Sequence, residues 1–161
     1  MQIIKVIEKN PGIKFREIMR ETGMKNGVLE YYAAKLEKGG VVKVDRSPGQ
    51  TRFYPPGLPD EEVILIKNLR QETPKQILSA LLENGTLSFS ELVEKTQKSP
   101  ATVSLYLSQV KRDDLVESKT IDFKKKYNVK DQERLRKIID KYHPSLIESS
   151  ADRLADTFSS L

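Results

Sequence analysis

The 161-residue sequence has no cysteine, no tryptophan and a single histidine, His143. Without cysteine there is no disulfide framework, no thiolate metal site and no cysteine nucleophile, a composition that suits a reducing compartment. Zinc and iron–sulfur readings drop out with it. Long apolar runs are missing as well. The longest aliphatic run is Val63–Ile66, against the roughly 18 residues a membrane span needs, and the opening MQIIKVIEKNPG lacks a signal-peptide core. A soluble, cytoplasmic protein with no membrane contact is expected. Catalytic fingerprints are absent too: there is no P-loop, no Gly-rich dinucleotide loop and no Gly-x-Ser-x-Gly. The plentiful carboxylates sit beside lysines on helix exteriors, the usual solvated arrangement. Neither enzymatic activity nor a cofactor is expected.

What the chain does have is an unevenly spread positive charge. Lys and Arg number 28 against 23 Asp and Glu, a net charge of +5. Cut at its Pro/Gly punctuation, the chain carries +5 over 1–57, −2 over 58–72, +2 over 73–129 and zero over 130–161. The excess lies in the two blocks of similar size, which suits a polyanionic partner whose counterions are released on binding. A plain lysine-rich surface is the competing reading of charge alone.

A repeat gives that division a structural meaning. At a constant offset of 74, residues 3–44 lie over 77–118 with seven identities, including Phe15/Phe89, Glu17/Glu91, Thr22/Thr96 and Tyr32/Tyr106. Apolar character also coincides at Ile7/Leu81, Ile13/Leu87, Ile18/Leu92, Leu29/Val103, Ala33/Leu107, Leu36/Val110 and Val41/Leu115. Two copies of one small module are therefore expected, at 1–57 and 73–129, with a connecting helix over 58–72 and a helical extension over 130–161.

Within each copy the periodicity runs in one order. In copy two, Thr73-Pro74-Lys75-Gln76 reads as a capping box opening a helix striped by Ile77, Leu78, Leu81 and Leu82. Ser88-Phe89-Ser90-Glu91 opens a second helix with another capping box. Ser99-Pro100 opens a third, with Val103, Leu107 and Val110 spaced by four and three. Copy one follows the same plan, although Lys14 stands where a capping Ser would. Period-two segments come next: Val41–Arg46 and Thr51–Tyr54 flank Ser47-Pro48-Gly49-Gln50 as a hairpin. Leu115–Lys119 and Phe123–Val129 read as a second, with Lys124, Lys125 and Lys126 at or beside its turn.

Three helices followed by a hairpin is the winged helix-turn-helix order, so the expected fold is mainly α with small β-hairpin wings. The string KSPATVSLYLSQVKRDDLV resembles the recognition helix and following strand of ArsR-like winged helices. GMKNGVLEYYAAKLEKGGVVKVDRS is similar to the same segment in archaeal transcriptional regulators that carry two such domains in tandem, and KYHPSLIESSADRLADTF resembles their C-terminal extension. The resemblance implies a double-stranded DNA-binding regulator. Its metal-sensing branch uses Cys or clustered His, which this chain does not supply.

On that reading the outward faces of the third helices are the DNA-contacting surfaces. In copy two these are Ser99, Ala101, Thr102, Ser104 and Ser108, with Thr102 and Ser104 able to donate to phosphate or a base edge. Ser99 is equally a helix cap, and Leu105 on the same face suits a protein interface. In copy one they are Lys25, Asn26, Glu30, Tyr31 and Lys35. Lys25 and Lys35 would hold phosphates, Asn26 either reads adenine or, as expected first, caps the helix, and Glu30 would repel phosphate while accepting from a cytosine amino group. The wings add Arg46 and Arg52, expected close to the first hairpin tip, and Lys119, Lys124, Lys125 and Lys126 on the second. Lysines that protect edge strands from aggregation are the structural alternative. Ile147, Ala151, Leu154, Phe158 and Leu161 form a heptad-like seam that packs either on a second copy, making a homodimer, or back on its own protomer. The alternative function is a winged-helix module that binds protein rather than specific DNA.

Overall fold

The computed structural model describes residues 2–47 and 50–142. The chain forms two compact units, one built from the sequence up to Ile66 together with Lys141 and Tyr142, the other from Lys67–Asp140. The architecture is mainly helical with small antiparallel hairpins.

In the first unit, α1 (Gln2–Lys9), α2 (Phe15–Thr22) and α3 (Asn26–Lys38) are followed by β2 (Lys43–Ser47) and β3 (Gln50–Tyr54). A two-residue strand, β1 (Ile13–Lys14), pairs antiparallel with β3, giving the sheet order β1-β3-β2. The apolar stripes of the three helices meet the sheet in one core of Ile3, Ile7, Ile13, Ile18, Leu29, Val42 and Phe53, lined by Phe15, Met19, Tyr32, Ala33 and Leu36. Burying such side chains contributes roughly 1.5–3 kcal/mol each, which is what a module of this size needs to offset its chain entropy.

α4 (Asp60–Leu69) carries the chain into the second unit, with Asp60, Glu61 and Glu62 at the positive end of its dipole and Leu65, Ile66 and Leu69 buried. There α5 (Glu72–Asn84), α6 (Phe89–Thr96) and α7 (Pro100–Arg112) precede β4 (Val116–Ile121) and β5 (Lys124–Val129). Helix α5 packs on α6, α7 and β5, burying Ile77, Leu78, Leu81, Leu92, Val103, Leu107 and Val110. Helix α8 (Gln132–Tyr142) follows, with Leu135, Ile138 and Tyr142 buried. The seam from Ile147 onward lies outside the described residues.

The repeat extends further than the side chains reveal. The pairs Ser47↔Gln50, Arg46↔Thr51, Asp45↔Arg52, Val44↔Phe53 and Lys43↔Tyr54 in the first hairpin have partners at the same offset in the second: Ile121↔Lys124, Thr120↔Lys125, Lys119↔Lys126, Ser118↔Tyr127 and Glu117↔Asn128. The pairing of Ile13 with Phe53 recurs as a bridge between Leu87 and Tyr127. Two of the identical residues make identical bonds. The hydroxyls of Thr22 and Thr96 donate to the Ile18 and Leu92 carbonyls, both at 2.7 Å, and the Asn10 and Asn84 amides donate to the Val6 and Ala80 carbonyls at 2.9 and 2.7 Å.

Two local expectations are corrected. Helix α5 starts at Glu72 after Gln71, so Thr73 is not its cap; Thr73 and Pro74 are buried in the first turn, where a missing N–H is harmless because that turn has no intrahelical acceptor. The apolar residues entering the hairpins are Val42 and Val116, both buried, whereas Val41 is exposed and Leu115 half-buried. The left-handed Gly40 and Asp114 just before them turn the chain and set that phase.

Candidate nucleic-acid interface

The two third helices are held by different caps. Ser99 precedes α7 in extended backbone and its Oγ accepts from the Thr102 N–H at 3.2 Å, with Pro100 in the first turn. Its hydroxyl also donates to Thr102 Oγ1 at 2.9 Å, so Ser99 and Thr102 are partly committed to each other. At α3 the cap position is Lys25, whose side chain has no acceptor, and no side-chain cap bond forms. The expectation that Asn26 caps this helix is overturned: Asn26 is its first helical residue. An uncapped helix start beside a lysine is an arrangement that suits a phosphate.

Each helix buries one stripe and leaves a matching stripe exposed. On α7, Val103, Leu107 and Val110 are buried, and Ala101, Ser104, Leu105, Ser108 and Arg112 are exposed. On α3 the equivalent positions are Gly27, Glu30, Tyr31, Ala34 and Lys38, all exposed. Both faces therefore read small, polar, large apolar, small, basic along successive turns. The small residues leave that face open to close approach, and each stripe ends on a basic residue. Tyr31 is 59% and Leu105 65% exposed. Lys35 lies over the Tyr31 ring at 5.5 Å, which stiffens that corner of α3. Lys38 and Arg112 were not among the sequence candidates; the four-residue spacing beyond Ala34 and Ser108 is the signal that finds them.

The wings differ from expectation. Arg52 does not reach the hairpin tip. It is 1% exposed, and its guanidinium donates to the Gly12 carbonyl at 2.9 Å and to Gln50 Oε1 at 3.2 Å. In a strand successive side chains alternate between faces, and position 52 faces the body of the unit; Arg52 is withdrawn from solvent. Lys126 stands at the equivalent position of the second wing and is also turned inward, donating to Glu91 Oε1 at 2.8 Å. That carboxylate completes the Ser88 capping box, and the bonds from Lys126 and Ser88 hold its pKa down at about 2. Arg46 is exposed but engaged with Glu37.

The exposed wing charge thus concentrates on the second hairpin. Lys124 and Lys125 are exposed next to its turn, and Lys119 is exposed with Glu117 at 3.6 Å. Lys125 also lies over the Tyr127 ring at 5.7 Å. Among the described residues no helix is long and apolar enough to cross a membrane.

Comparison with known proteins places similarity on both helical triplets. Residues 1–43 match the family model described as winged helix-turn-helix DNA-binding, and residues 72–118 match that of bacterial regulatory protein, arsR family. No curated protein sequence matches. Among solved structures, HlyU from Vibrio cholerae N16961 is similar at 28% identity, over 53% of this chain and 90% of that chain, with a TM-score of 0.46. The family matches support a DNA-binding transcriptional regulator with an ArsR-like module over 72–118.

Proposed function

We propose that the protein is a cytoplasmic, double-stranded DNA-binding transcriptional regulator with two winged helix-turn-helix domains in tandem. The domains span 1–57 and 73–129, joined by 58–72 and extended by 130–161. α3 and α7 each enter a major groove, and the wings meet the backbone or the adjacent minor groove. The observation that carries this reading is the matched exposed stripe on α3 and α7, repeated at one offset beside exposed lysines. Lys25, Lys35, Lys38, Arg112, Lys119, Lys124 and Lys125 hold phosphates. Asn26, Glu30, Tyr31, Ala101, Thr102, Ser104 and Ser108 face base edges. The heptad-spaced residues from Ile147 to Leu161 join two copies.

Fluorescence anisotropy on a random duplex tests the charge component. Affinity falls steeply between about 50 and 200 mM salt, and replacing Lys124 and Lys125 by Ala lowers the salt slope by about two. A slope near zero in the unmodified protein overturns the reading. Light scattering on a chain lacking 145–161 tests the dimer, which that deletion reduces to a monomer.

Exposed Tyr31 and Leu105 favour a second reading, a module that binds a protein partner through the same face. Replacing both by Ser separates the two. Loss of duplex binding keeps them at DNA, whereas unchanged duplex binding assigns that face to a protein.

A further inference from the structure

The tip of the second wing holds a feature that neither the fold nor the charge pattern requires. Ile121 pairs with Lys124, leaving a two-residue turn of Asp122 and Phe123 with φ of 51° and 64°. Two consecutive left-handed residues make the hairpin turn that Asn-Gly or Asp-Gly fills best, because an L side chain is strained there. Phe123 takes the glycine position, with its side chain fully exposed. The residue at that position of the first hairpin is Gly49, so the repeat does not need an aromatic ring there. The ring buries nothing in its own unit, and its backbone conformation costs stability, which leaves an external contact as the reason for it.

The surroundings identify that contact by charge. Lys124 and Lys125 follow Phe123, and Lys119 lies two residues before the partly exposed Ile121. Ile121 and Lys124 are a cross-strand pair on the same side of the hairpin as Lys119, and Lys125 lies on the other side. An apolar tip flanked by three lysines that outnumber the neighbouring Asp122 fits a polyanion with an apolar interior, which is what a base-pair stack is. We propose that Phe123 is a wedge that enters the minor groove and partly unstacks one base step, while Lys119, Lys124 and Lys125 hold the flanking phosphates. Flexible pyrimidine–purine steps such as TA open most easily, so the wedge adds a preference for such a step beside the site read by α7. This inference rests on the DNA-binding reading and deepens it.

The chain has no tryptophan, so Phe123→Trp installs a single tryptophan, excited apart from the tyrosines at the red edge, at an exposed tip whose replacement leaves the core untouched. Binding to a TA-containing duplex is followed by anisotropy of labelled DNA and by emission of the new Trp. The proposal expects strong quenching on binding, an end-to-end distance in doubly labelled duplex that shortens, and a Phe123→Ala variant that binds roughly tenfold more weakly without the bend. Binding with unchanged Trp emission overturns the wedge and leaves DNA binding standing. An absence of any duplex binding overturns both. A blue shift with vesicles of phosphatidylcholine and phosphatidylglycerol, with no response to duplex, overturns the wedge in favour of an anionic lipid surface.

Discussion

Arg46 and Glu37 form a two-pronged pair, Nη1 to Oε2 and Nη2 to Oε1, each at 2.6 Å, that ties β2 to the last turns of α3. The bonds from Arg46 hold the Glu37 carboxyl below the usual carboxylate range. At the equivalent positions of the second unit stand Thr120 and Lys111, so this pair has no counterpart there. Glu37→Gln removes the negative charge and releases Arg46 toward DNA; duplex affinity rises and its salt slope steepens by up to about one. Arg46→Ala leaves the slope unchanged or slightly lower, as anisotropy across a salt series would show.

Arg52→Met behaves in the opposite way. The guanidinium is buried and satisfies the Gly12 carbonyl across the β1–β3 pairing, so its loss leaves that acceptor without its partner. Unfolding of the first unit becomes easier by roughly 1–3 kcal/mol, read from urea denaturation, while the salt slope of duplex binding stays constant at temperatures where the unit remains folded.

A polar network anchors the end of α4 on α7. Asn68 is fully buried and donates to Asp113 Oδ2 at 2.9 Å, and Gln109 donates to Asn68 Oδ1 at 2.8 Å and to Gln71 Oε1 at 3.2 Å. Asn68→Ala removes the buried amide that links Asp113 to Gln109, leaving Gln109 only its bond to Gln71, and costs roughly 1–3 kcal/mol. Asn68→Ala and Gln109→Ala together cost less than the sum of the single changes, because both remove one network. Chemical denaturation of the four proteins in the cycle measures this coupling.

Glu91 makes the second unit sensitive to acid. Its folded pKa of about 2 lies below the unfolded value of about 4.3. A depressed carboxylate stabilises the fold above its unfolded pKa, and that contribution is lost as pH falls from about 4 toward about 2. Glu91→Gln keeps an acceptor for the Ser88 N–H but drops the ion pair with Lys126, so it lowers Tm at pH 7 more than at pH 2. Thermal melts by circular dichroism at the two pH values give the comparison; an equal drop at both would refute it.

Much of this architecture is legible one residue at a time. The capping box at Ser88 and Glu91, the Ser99-Pro100 helix start, and the stripes Ile77-Leu81 and Val103-Leu107-Val110 are local signals, decided by hydrogen bonds and helical spacing within a few residues. The offset repeat is likewise a property of the string, and it led to two units of like design. The strand pairing was less legible. Ile13 joins Phe53 forty residues away, and a two-residue strand has no periodicity to detect.

The candidate site divides along the same line. Exposure of Glu30, Tyr31, Ala101 and Ser104 follows from the phase of their helices, because the apolar stripe dictates which side faces solvent. The fate of the wing arginines and lysines does not. Arg46, Arg52, Lys119 and Lys126 are all basic residues in short polar strands, and nothing near them in sequence separates those that face outward from those drawn to Gly12 or Glu91. Tertiary packing decided it, because alternation along a strand gives two faces without saying which one the body of the unit will cover, and only the placement of β1 and α6 settles that.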